Sequence, residues 1–142
     1  MTILSTYKVI LEEETEKVAH SLADTFQPGS VVALCGNLGA GKTFLVKKFC
    51  EKKGITNATS PSFALVNVYN NSIKINHFDF YRINSIGELY EIGFYDYISD
   101  PDAITFIEWA DLFPSILPKK YYEIEFNINE DLSREITIKK YE

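Results

Sequence analysis

The sequence predicts an α/β fold: a mixed sheet, parallel at its centre and antiparallel at its edges, flanked by helices. Two short runs, residues 30–35 and 103–107, are too uniformly apolar for half-exposed strands and have the character of buried parallel ones. A glycine-rich loop follows the first run at once and leads into a helical pattern, giving the order strand, loop, helix. The C-terminal segments 121–128 and 135–140 instead alternate around a turn at 129–133, as an antiparallel pair does.

Along the chain, residues 6–11 read as a first strand. Glu12, Glu13 and Glu14 then suit a helix N-terminal dipole. Val18, Leu22 and Phe26, with Ala19 and Ala23 beside them, form one apolar stripe, and Pro28-Gly29 stops the helix. After the glycine loop, residues 42–53 predict a helix with Leu45, Phe49 and Cys50 inward, lysines late and Gly54 as its stop. Residues 64–69 and 73–80 predict strands of a hairpin turned by Asn70-Asn71-Ser72. Ser85 followed by Glu88 is a capping-box pattern for a short helix that Gly93 ends.

The 142 residues suit one domain, residues 1–142, with neither repeats nor a linker. The start lacks a signal peptide, and no apolar stretch reaches the roughly 18 residues needed to span a membrane, so the cytoplasm is the expected compartment. Cys35 and Cys50 fit neither a disulfide framework nor a zinc site and are expected as reduced, buried thiols. A formal charge of -6 argues against tight, unaided binding of nucleic acid, which requires phosphates to be neutralised by Lys and Arg.

The chemistry starts at Gly36, Asn37, Leu38, Gly39, Ala40, Gly41, Lys42 and Thr43, which satisfy G-x-x-x-x-G-K-[ST] throughout. The glycines let the backbone curl so that N–H groups converge on phosphate oxygens at a helix N-terminus. Lys42 is placed to reach β and γ phosphates, and Thr43 to offer its hydroxyl to Mg²⁺. Chance gives this pattern in roughly one chain in two hundred of this length. The expectation is a P-loop fold binding ATP with Mg²⁺.

Such a loop needs an acid on a neighbouring strand. Glu108 ends the apolar run 103–107, so it is expected at the carboxyl edge of a central strand, where ligands bind in open α/β sheets. Asp79 is the second candidate. The alternation before it falters at His77, so either a bend or a change of covering brings Asp79 to the site, or it is a solvated or hydrogen-bonded edge acid. Ser62 in Ser60-Pro61-Ser62-Phe63 is either a γ-phosphate sensor or part of a plain turn. His77 reads as a packed or hydrogen-bonded core histidine, and Trp109 either as a contact for nucleotide or a partner surface or as core. Arg82 and Arg134 are the only arginines, available to phosphate or to surface acids. Thr15 is a further candidate, for the base pocket.

Together the segments GNLGAGKT (36–43), SPSFALVNVY (60–69), HFDFYR (77–82), ELYEIGFYDY (88–97) and IEW (107–109) resemble the TsaE (YjeE) ATPases of tRNA threonylcarbamoyladenosine synthesis. The resemblance spans most of the chain. It implies a compact α/β ATPase that works with TsaD and TsaB, which transfer the threonylcarbamoyl group, and that meets tRNA only through them. By position, Lys42 and Thr43 match the family's phosphate and Mg²⁺ contacts, Glu108 its second Mg²⁺ residue, Asp79 a further acid needed for activity, and residues 60–62 its switch. Asn37, Ala64 and Val68 depart from the usual acid, hydroxyl and acid. A small-molecule kinase would be expected to carry more basic residues and a lid, and a GTPase an N-K-x-D motif that this chain lacks. A passive nucleotide-binding module is the remaining alternative.

Overall fold

A computed structural model describes residues 1–37, 39–61 and 65–142. Among these, seven strands form one sheet: β1 (Thr2–Val9), β2 (Val31–Gly36), β3 (Val66–Asn70), β4 (Lys74–Asp79), β5 (Ala103–Glu108), β6 (Tyr121–Ile128) and β7 (Arg134–Tyr141), in the order β1-β7-β6-β2-β5-β4-β3. The pairs β6–β2, β2–β5 and β5–β4 are parallel, whereas β1–β7, β7–β6 and β3–β4 are antiparallel. The expected parallel centre and antiparallel edges are borne out. Helices α1 (Glu12–Ser21), α2 (Lys42–Lys52), α3 (Ile86–Glu91) and α4 (Phe94–Ile98) supply the layers on either side.

The uniform apolarity of the central strands follows from burial on both faces. Val32 and Leu34 of β2, with Ile104 and Phe106 of β5, pack against Val18, Ala19 and Leu22 of α1 and its C-terminal turn and against Leu45 and Phe49 of α2. Val31, Ala33 and Ile107 face the other way, onto Phe78, Phe80, Leu89 and Phe94. Successive side chains alternate between the two cores because a strand has a period of two.

Several boundaries differ from the expectations. The first strand runs over Thr2–Val9 rather than 6–11, because it pairs with β7 from Thr2↔Lys140 to Val9↔Arg134. As an edge strand with much exposed surface it carries no hydrophobic alternation to announce its start. Ile10 and Leu11 instead form the approach to α1, where the Glu14 carboxylate accepts from both of their backbone N–H groups, at 3.0 and 2.9 Å. That helix ends at Ser21, yet Leu22, Ala23 and Phe26 keep their buried places through the turns that follow. The capping box at Ser85 is half formed: Glu88 accepts from the backbone of Asn84 at 3.0 Å, and Ser85 makes no side-chain cap bond. Gly93, at φ 75°, begins the unexpected α4.

The hairpin β3–β4 forms as expected, with Asn70 opposite Lys74. Of the two expected causes of the faltering alternation at His77, the structure shows a change of covering and not a bend. The β4 register to both neighbours is unbroken, and alternation fades there because β4 is interior, paired with β5 on its other side. Asp79 is therefore not an edge acid.

Candidate functional site

Three adjacent carriers converge at the carboxyl ends of the parallel strands. Strand β2 ends at Gly36, and the glycine loop turns into α2, whose N-cap Gly41 has φ 107°, a conformation that costs a side-chain-bearing residue energy. On β5, Ile104, Phe106 and Glu108 share the α2 face. On β4, Ile75, His77 and Asp79 share it too. Register then sets Asp79 directly beside Glu108. Sequence alone did not show this, because the pairing of β4 with β5 is separated by two helices in the chain.

The Thr43 hydroxyl donates to Oε1 of Glu108 at 2.7 Å. The other carboxylate oxygen, Oε2, lies 2.6 Å from Nε2 of His77, which is fully buried. Asp79 accepts from the Tyr81 backbone N–H at 3.0 Å and from the Ser60 hydroxyl at 3.3 Å. The Lys42 ammonium donates to the carbonyls of Gly36, at 2.6 Å, and Asn37, at 3.0 Å, and stands 4.0 Å from the centroid of the Trp109 ring. Burial pulls the Lys42 ammonium below the usual lysine range, against the opposing charges of Glu108 and Asp111.

Trp109 adopts a left-handed conformation, φ 59°, directly after β5, and its indole lies 5.0 Å from the Tyr81 ring. Of its two readings, the one that places it at the site rather than in plain core agrees with its position in the cleft wall. A cleft of about 470 Å³ is lined by residues 39–44 together with Glu12, Ser60, Asp79, Tyr81, Arg82, Glu108, Trp109 and Arg134. Other clefts reach similar volumes, such as 450 Å³ near Tyr121 and Tyr141. Chemistry rather than size therefore singles out the first. Its oxygens suit a hard cation, and its helix N-terminus and cradle suit phosphate. Among the described residues, no group of three or more His, Cys, Asp or Glu is disposed to hold a metal by itself. That donor set fits Mg²⁺ carried in with a phosphate ligand, which supplies most of its coordination.

A family model described as "Threonylcarbamoyl adenosine biosynthesis protein TsaE" matches residues 10–136. The chain belongs to the TsaE family. It is 37% identical over 134 residues to the protein TsaE of Rickettsia typhi, covering 91% of this chain and 90% of that protein. To the protein TsaE of Bacillus subtilis it is 35% identical over 133 residues, covering 92% of this chain and 82% of the other. The crystal structure of Bacillus subtilis YdiB superposes with a TM-score of 0.80 at 30% identity, over 99% of this chain and 88% of that one. The resemblance and the P-loop fold are both borne out.

In this TsaE-family chain, the structure gathers Gly39, Ala40, Gly41, Lys42, Thr43, Asp79, Glu108 and Arg134 around the cleft. The Arg134 guanidinium donates to the Gly39 carbonyl at 3.3 Å. Asn37 contributes its carbonyl to Lys42. Leu38, Ser62 and Ala64 lie outside the described residues. Thr15 is not among the residues that line the cleft: it is 2% exposed, one helical turn past the cleft-lining Glu12, and its hydroxyl is buried without a partner among the described residues. The α1 face that holds Val18 and Ala19 against the sheet carries Thr15 inward with them. Glu12, Tyr81 and His77 were missed as site residues. The strand parity of His77 with Asp79 was the available signal. The two cysteines are split: Cys50 is buried, whereas Cys35 is half-buried, and burial pushes both thiols up to about 12. No described helix is long and apolar enough to cross a membrane.

Burial, then the neighbouring Glu108 charge, lift the Asp79 carboxyl above its ordinary value of 3.8, while the Tyr81 and Ser60 bonds pull it down. A carboxyl raised on folding stabilises the fold below its unfolded value and loses that contribution as pH rises through the folded value. At pH 7 the ionised group therefore costs stability. Asp79→Asn, which keeps an acceptor for Tyr81, is expected to raise Tm at pH 7 by about 2 °C, with the gap closing near pH 4 and below. Calorimetry across pH checks this. A lower Tm at pH 7 would mean that the hydrogen bonds to the charged form outweigh its burial.

Proposed function

We propose that residues 1–142 act as one P-loop ATPase domain: the ATP-binding and hydrolysing subunit required for threonylcarbamoyladenosine modification of tRNA at position 37, working in the cytoplasm with TsaD and TsaB. The observation that carries this reading is the meeting of Thr43 and Glu108 at 2.7 Å with Asp79 on the adjacent strand. A P-loop hydroxyl and a strand-end acid so placed can share one Mg²⁺. Backbone N–H groups of the loop, Asn37 to Thr43, cradle the phosphates. Lys42 leaves the carbonyls of Gly36 and Asn37 to neutralise phosphate charge, and Arg134 braces the loop at Gly39. When bound, Mg²⁺ supplies further charge neutralisation at the phosphoryl oxygens. The net charge of -6 supports leaving the tRNA to the partner proteins.

The test is ATP hydrolysis by the protein alone and with TsaB, TsaD and tRNA, using Lys42→Ala as the blank. Turnover is expected to depend on the partners, and modified tRNA to accumulate over many cycles only with the wild-type chain. Turnover and modification that ignore the partners would sink the subunit reading and leave a P-loop protein of another pathway.

A further inference from the structure

Resting on that nucleotide reading, we propose that His77 is a positioning residue that makes Glu108 a one-oxygen ligand and so fits the site to Mg²⁺ rather than to larger cations. The Glu108 carboxylate is engaged at both ends. Oε2 meets His77 Nε2 at 2.6 Å, and Oε1 meets the Thr43 hydroxyl at 2.7 Å. An ionised carboxylate only accepts, so Nε2 is the donor. His77 sits opposite Phe106, two residues before Glu108 on β5, and reaches its partner diagonally along the shared face. The ring is fully buried, and its other nitrogen, Nδ1, has no hydrogen-bond partner among the described residues. An apolar side chain would fill that place without leaving a polar atom unpaired. The bond to Glu108 is what the imidazole adds.

With Oε2 held, only Oε1 is presented on the Thr43 side. Ca²⁺ takes six to eight oxygens and readily accepts a bidentate carboxylate, whereas Mg²⁺ demands octahedral geometry and keeps several waters. A carboxylate locked as a single-oxygen donor satisfies the smaller ion and denies the larger one its second contact. With Thr43 at the other oxygen, the bond also fixes the orientation of the carboxylate.

The pair H77Q and H77N tests reach with chemistry held constant. A glutamine amide nitrogen falls where Nε2 stands, whereas an asparagine amide falls near Nδ1, short of Glu108. The affinity of a fluorescent ATP analogue is measured in Mg²⁺ and Ca²⁺ titrations and in EDTA, alongside thermal melts. H77Q is expected to keep the wild-type Mg²⁺ midpoint within about twofold, and H77N to raise it about tenfold and narrow the preference for Mg²⁺ over Ca²⁺, the size of effect that ligand-orienting partners have. Both should bind as wild type in EDTA, and H77N should add nothing in an E108Q background. H77L, which has no donor, is the second variant and should follow H77N. Equal midpoints for folded H77N and H77Q, a tenfold shift in H77Q, or an equal loss for H77N in EDTA would each overturn the inference. Wild-type protein that binds no ATP would instead overturn the nucleotide reading beneath it.

Discussion

Glu108→Gln is expected to leave the protein folded and able to bind ATP, and to cut Mg²⁺-dependent hydrolysis about 10²- to 10³-fold. The fold should survive because the amide keeps the shape of the carboxylate. Its oxygen can still accept from His77, and its nitrogen can donate to a Thr43 hydroxyl that rotates to receive it. What is lost is a buried negative charge, 3% exposed, at the one place where β5 presents an acid to the loop. Among the described residues no other set of side chains is disposed to hold a metal in its stead. Asp79 does not substitute, because it stands on β4, one strand further from the loop, with its oxygens turned to Tyr81 and Ser60 rather than to Thr43. The measurement is steady-state turnover with the partner proteins, paired with nucleotide affinity in EDTA. Turnover within about threefold of wild type would remove Glu108 from the chemistry.

The largest effect on stability is expected at Gly36. A Cβ there would lie 2.6 Å from the Phe126 carbonyl oxygen and 2.9 Å from the Phe126 Cβ. Neither atom can step aside, since Phe126 is paired with Gly36 in the β2–β6 ladder and its ring sits in the core shared with α1 and α2. The φ of 148° adds strain for any other residue. Strain and overlap together cost about 3 kcal/mol, so Gly36→Ala is expected to lower Tm by about 10 °C, read by calorimetry. Gly39→Ala is the control. Its φ of 78° is also unfavourable, but no described residue comes within 4 Å of the added carbon, so the cost is only about 1 kcal/mol. Equal losses at the two positions would mean that backbone conformation rather than contact with β6 sets the requirement for the motif's first glycine.

Much of this site was legible because its signals are local. The loop from Gly36 to Thr43 is contiguous, and Glu108 is announced by the apolar run it closes. Asp79 was visible as a candidate through a change of covering, while the bend that could equally have explained the pattern is not there. The irregular alternation near His77 reflects an interior strand, and the position of Asp79 comes from register with β5, a non-local pairing that no window of sequence contains. The same holds for His77, whose partner is 31 residues away. Thr15 lies off the cleft because rotation around α1, which its place in the sequence does not announce, turns it inward. The edge strand β1 and the short α4 carry weak patterns for opposite reasons, one lying mostly in solvent and the other lasting only five residues.

The two acids are spaced by the backbone ladder between β4 and β5, not by the chain that connects them. The connecting stretch, residues 80–102, leaves the sheet after Asp79 and re-enters at Ala103, at the opposite end from the cleft. It behaves as a cassette on a fixed chassis. Provided that Phe80, Leu89 and Phe94 still fill the core beneath it and Tyr81 and Arg82 keep their places in the cleft wall, the exposed face beyond residue 82 can be lengthened or rewritten without altering the distance between the carboxylates. A lineage can therefore re-tailor this flank to a changing neighbour while the reaction geometry stays untouched.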